Sequence, residues 1–135
     1  MWLGDELAVT IYALMVACLM PFIWTVVAKI TGGFKPRDNQ NPRAFLANTT
    51  KMAARANAAQ ANSFESLPMF LAATLMAMYC FVPQVVVNGL VWLYVGIRLM
   101  YGLAYVFNLA TLRSILWFLS MACIMMLFSL SIKMI

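Results

Sequence analysis

Three ionisable side chains stand inside long apolar runs or at their edges: Glu65, Arg98 and Arg113. An ionised group in hydrocarbon costs about 2.5–3.5 kcal/mol on insertion scales, so such residues normally turn to a protein interior and find a partner there. Steps of three and four residues return to one face of a helix. By that rule Arg55, Ala58, Asn62 and Glu65 share a face, Tyr94, Arg98, Tyr101, Tyr105 and Asn108 share another, and Arg113 and Trp117 a third. At 1.5 Å per residue Glu65 lies about 26 Å from the turn near residue 82, and Arg98 about 20 Å from it. A long arginine can therefore reach Glu65 across antiparallel helices, and the spacing predicts a Glu65–Arg98 pair. Taken singly, these residues serve as interhelical glue or interfacial aromatics. Two guanidiniums, a carboxylate, an amide and two phenols rising to one end exceed what glue requires, and they predict a polar pocket. Such a pocket suits a small zwitterion, with arginines for its carboxylates and Glu65 for its amine. If the ligand carries a thiol, a neighbouring cation raises the thiolate fraction, and a lipophilic electrophile can arrive sideways from the bilayer.

The elements that must hold these residues follow from composition. Of 135 residues, 65% are hydrophobic and 10% charged, which excludes a soluble domain with a charged surface and points to an integral membrane protein. A spanning helix takes about 20 apolar residues. The expected architecture is all-α, a four-helix up-and-down bundle in one domain, with spans over about 7–30, 52–82, 85–107 and 112–134 and a cytoplasmic loop over about 31–51. Span two reads as a helix that starts in the cytoplasm, because 44–62 is alanine-rich and polar without Gly or Pro. Pro68 is expected to loosen that helix one turn beyond Glu65.

The net charge of +5 does not point to nucleic acid, because six of the nine basic residues, Lys29, Lys35, Arg37, Arg43, Lys51 and Arg55, fall between the first two spans. That is a topology signal. It places the loop and the pocket on the cytoplasmic side and both termini, with Asp5 and Glu6, opposite. The acidic start reads as a retained first helix rather than a cleaved signal. Cys18, Cys80 and Cys123 each sit in an apolar span as lipid-facing or packing residues rather than a disulfide set, and the sequence, which has no histidine, offers no metal-ligand cluster.

"RANAAQANSFESLPMFLAA" and "RLMYGLAYVFNLATLRS" together resemble the membrane-associated proteins in eicosanoid and glutathione metabolism, MAPEG. The likeness covers the four-span topology and, in detail, residues 55–114, where Arg55 followed by Asn62, x, x, Glu65, x, x, Pro68 on span two is the more specific motif. The resemblance implies a homotrimer with glutathione bound between neighbouring subunits near the cytoplasmic face. Carried over by position, Asn62 and Glu65 would hold the peptide, and Arg98, Tyr101 and Tyr105 would line the pocket with Arg55. Arg113 would match the arginine that stabilises the thiolate, with Ser114 beside it, and Lys29 would stand where the family often has an arginine for a carboxylate.

The implied activity is a glutathione-dependent transferase or peroxidase acting on lipophilic electrophiles or lipid hydroperoxides, in the cytoplasmic membrane of a bacterium. Ala58 and Ala61 stand where prostaglandin-synthase-type members carry further basic residues, and Tyr101 where they carry a histidine. Fewer cations mean a weaker hold on glutathione carboxylates. The alternative is a non-catalytic member, a lipid-binding or structural subunit.

Overall fold

Long runs of strong helix formers, interrupted at glycine, proline and asparagine, become helices joined by tight turns. The computed structural model describes residues 3–135. Its elements are α1 (Leu3–Gly32), a 3-10 turn (Pro36–Gln40), α2 (Pro42–Ala47), α3 (Lys51–Tyr79), α4 (Gln84–Val106) and α5 (Ala110–Lys133). No strand occurs among the described residues. Gly33, at φ +72°, turns the chain out of α1, as a left-handed position after a helix favours. Phe81 and Asn108 take the same left-handed conformation in the two short turns that precede α4 and α5.

Among the described residues, three helices are long and apolar enough to cross a membrane, over Gly4–Gly32, Gln84–Val106 and Ala110–Lys133. The protein is an integral membrane protein. At 29 residues α3 has the length, but Asn57, Gln60, Asn62, Ser63, Glu65 and Ser66 make its first half too polar to match the other three.

Side-chain pairs give the directions. Thr10 meets Asn88, and Trp24 lies over Gly102, so α1 and α4 run parallel. Arg55 meets Val106 and Ser66 meets Tyr94, so α3 opposes α4. Phe22 packs edge-on against Phe64, which sets α1 against α3. The close α3–α4 pair is flanked by α1 on one side and α5 on the other. Small residues allow this approach: Ala53, Ala56, Ala59, Ala73 and Ala77 form the buried stripe of α3, as in helix pairs packed without a hydrophobic drive between them. A Cβ on Gly102 would fall inside the Trp24 ring.

One local expectation is corrected. The helix expected through 44–62 breaks at 48–50. There the Asn48 amide donates to the Ala44 carbonyl at 2.8 Å, the Thr49 hydroxyl donates to Leu46 at 2.7 Å, and Thr50 is extended. These short side chains satisfy the last carbonyls of α2 and so compete with continuation. Pro68 lies inside α3, which stays helical from Lys51 to Tyr79.

Candidate functional site

At the end of the molecule where α3 begins and α4 finishes, polar side chains form a continuous chain. Asn62 is the hub. Its carbonyl oxygen accepts from Arg98 Nη2 at 2.8 Å, and its amide donates to Glu65 Oε2 at 3.4 Å. The guanidinium of Arg98 lies 4.1 Å from the centroid of the Tyr101 ring. Tyr101 packs edge-on against Tyr105 at 5.7 Å, and the Arg113 guanidinium sits 4.4 Å over Tyr105. Cation–ring contacts of this kind stabilise more as they lose water, and Arg98, only 2% exposed, is almost fully desolvated.

Helix register explains the order. The pairing that places Ser66 within 3.0 Å of the Tyr94 hydroxyl, with Phe70 stacked on Tyr94 at 3.9 Å, also sets Asn62 level with Arg98. Glu65 is rotated to the exposed side of α3. The expected direct Glu65–Arg98 pair is therefore replaced by a relay through Asn62. Arg98 is left with a buried Nη1 that has no hydrogen-bond partner, a cost of several kcal/mol for a charged group unless something else completes it.

Beside this chain Tyr101, Arg113, Ser114, Trp117 and Phe118 line a cavity of about 150 Å³. Arg113 is half-buried there, and Ser114 is exposed with its hydroxyl on the Ala110 carbonyl at 3.2 Å. Asn62, Glu65, Arg98, Tyr101, Tyr105 and Arg113 are thus brought together, with Ser114 at the edge. Two candidates are used elsewhere. The Nε of Arg55 donates to the Val106 carbonyl at 3.0 Å and pins α3 to the last turn of α4. Lys29 lies 4.4 Å over the Phe34 ring, and no hydrogen bond, ion pair or ring contact joins it to the others. Sequence reasoning missed Ser66, the buried partner of Tyr94; its i+4 position from Asn62 was the available signal.

One end of this integral membrane protein thus brings together a buried guanidinium, an amide–carboxylate pair and a second arginine over a phenol. The MAPEG family model matches residues 9–133, and the chain belongs to that family. Its membership makes it a membrane protein related to glutathione and eicosanoid metabolism. No curated protein matches the chain.

Proposed function

We propose that the protein is a glutathione-dependent transferase or peroxidase acting on lipophilic electrophiles or lipid hydroperoxides, built as a homotrimer of four-span up-and-down bundles. The orphaned Nη1 of Arg98 carries this reading, because a buried cation without a full partner set fits an incoming carboxylate. The donor set fits glutathione: Glu65 is exposed, with Oε1 beside the Asn62-bound Oε2 to receive an ammonium, while Asn62 holds Arg98 in place. Glutathione would supply the nucleophilic sulfur. Arg113, with its charge over Tyr105 and beside the cavity, would hold the sulfur as thiolate by direct charge attraction. Trp117 and Phe118 give the same cavity an apolar wall suited to a lipophilic substrate entering from the bilayer. Tyr101 and Tyr105 fix the two guanidiniums at their spacing. Arg55 would act by holding α3 to α4, and Lys29 by its charge at the rim.

Size and exposure support an assembly, which the family resemblance makes a trimer. Ligand pockets measure roughly 300–1,000 Å³, and about 150 Å³ is present in one chain. A second subunit would supply the remaining walls against the exposed side of α3, where Phe64, Glu65, Pro68 and Met69 lie. The basic loop would face the cytoplasm of a bacterium, and both termini the opposite side.

Ala58 and Ala61 favour the second reading, a non-catalytic lipid-binding or structural subunit, because they supply no charge for a second ligand carboxylate. Calorimetric titration of glutathione into detergent-purified protein decides. Binding that Glu65→Gln weakens at least tenfold is expected. No binding up to millimolar glutathione would overturn the transferase reading and leave the lipid-binding one.

A further inference from the structure

The segment between α1 and α3 is a folded piece rather than a slack connection. Phe34 packs edge-on against Phe45 at 5.0 Å, and Leu46 is buried. Asn41 caps α2 by accepting from the Ala44 N–H at 3.1 Å, and the Asn57 amide ties the Leu46 carbonyl to α3 at 3.4 Å. Gly32 lies so close beneath this piece that a Cβ there would meet Phe45, Thr49 and Ala53 at 3.1–3.3 Å.

From that support project Lys35, Arg37, Arg43 and Lys51, all exposed. Their charged heads have no hydrogen-bond, ion-pair or ring partner among the described residues. The other cations of this end are engaged: Lys29 with Phe34, Arg55 with Val106, Arg98 with Asn62 and Arg113 with Tyr105. Asp38 is the one acid in 31–51, and its carboxylate is taken by the Lys35 backbone N–H at 2.7 Å. A topology signal requires positive charge in the loop but no fixed scaffold to display it. This scaffold follows directly on the apolar α1, whose Ile30 is 75% exposed for contact with lipid, so the four cations stand where headgroup phosphates lie.

We propose that residues 33–51 form a binding site for the headgroups of anionic phospholipids, with Lys35, Arg37, Arg43 and Lys51 sharing the phosphates. The site is independent of the glutathione reading and would hold equally in a non-catalytic member. Native mass spectrometry of the detergent-purified full chain tests it, with phosphatidylglycerol and phosphatidylcholine of identical acyl chains as probes. Phosphatidylglycerol should be retained about tenfold better at low salt, each neutralised cation lowering that ratio roughly twofold. The preference should vanish near 1 M salt, where screening acts within about 3 Å.

The pairs K35Q/R37Q and R43Q/K51Q keep the remaining loop charges that direct insertion, so they report on binding even if the fourfold variant fails to fold. Lys133→Gln, exposed at the far end of α5, should leave the ratio unchanged. Equal retention of the two lipids by the unmodified protein would overturn the proposal, as would a preference that stays undiminished in both pairs. Displacement of the lipid by millimolar inorganic phosphate would also overturn it, by reassigning the site to a soluble anion.

Discussion

The two ends of the helical body treat polar side chains in opposite ways. Where α1 and α4 begin, Thr10, Gln84 and Asn88 hydrogen-bond to one another, and the Asn88 amide also donates to the Glu6 carbonyl at 2.9 Å. The Trp92 indole closes the same end by donating to Val9 at 3.2 Å. This neutral knot leaves no buried side-chain atom unpaired. At the other end the polar groups include the charges of Glu65, Arg98 and Arg113, Glu65 is exposed, and Arg98 keeps an unpaired nitrogen. A closed network fixes two helices against each other, because unpaired groups in lipid are costly. An open one keeps that cost in reserve for whatever completes it.

The comparison is sharpest where charge meets chemistry. Arg113→Ala should lower turnover of thiol conjugation with an aryl halide by about 10²–10³, the scale of removing one electrostatic stabiliser of a developing or held anion. Its guanidinium is half-buried and touches Tyr105 alone among the described contacts, so the melting temperature and the oligomer should be unchanged. Equal loss of assembly and turnover would move Arg113 from the ligand side of the comparison to the structural side.

Asn88→Leu should do the reverse. It strands Thr10 and Gln84, whose partner it is, and should destabilise by about 1–3 kcal/mol, read as a lower thermal midpoint in detergent. Turnover per folded molecule should stay within about twofold, because the knot lies at the far ends of the helices from Arg113. A large activity loss with an unchanged midpoint would break the division between the two ends.

Arg98→Met separates the two roles within one residue. It removes a buried cation that the protein only half satisfies and keeps the volume, so the thermal midpoint should hold steady or rise. Glutathione affinity should fall about tenfold by calorimetry, equivalent to about 1.4 kcal/mol. A fall in the midpoint comparable to that of Asn88→Leu would mean that the Asn62–Arg98 bond is itself structural glue.

Helical spacing made the open end legible and hid the closed one. Asn62 and Glu65 recur at a step of three, and Arg98, Tyr101 and Tyr105 at steps of three and four, so one face of each helix could be read directly. What spacing does not carry is the register between helices. Whether Arg98 meets Asn62 or Glu65 depends on less than one turn of sliding, which the α3–α4 contacts decide through Ser66 and Tyr94. The knot joins neutral residues separated by 74 and 78 positions. A lone threonine in an apolar run carries no periodic signal of its partner, and only the i+4 spacing of Gln84 and Asn88 hinted at a shared face. The break at 48–50 was outweighed by alanine propensity on both sides, although Asn-Thr-Thr carried the competing side-chain chemistry.

Ser114 tests the comparison at its weakest point. It sits beside Arg113 and lines the same cavity, yet its hydroxyl donates to the Ala110 carbonyl one turn earlier at 3.2 Å. That carbonyl already belongs to the first turn of α5, so the bond relieves no buried group, and the exposed side chain can exchange it for water. Ser114→Ala should therefore change turnover by less than about threefold and stability by less than about 0.5 kcal/mol, the scale of ordinary surface substitutions. A loss near a hundredfold, with substrate affinity kept, would mean that the hydroxyl leaves Ala110 when the site is filled and donates to the reacting sulfur. In that case the open end includes a donor that the structure shows in a structural bond, and the boundary between the two kinds of polar group would shift with ligand rather than lie fixed in the fold.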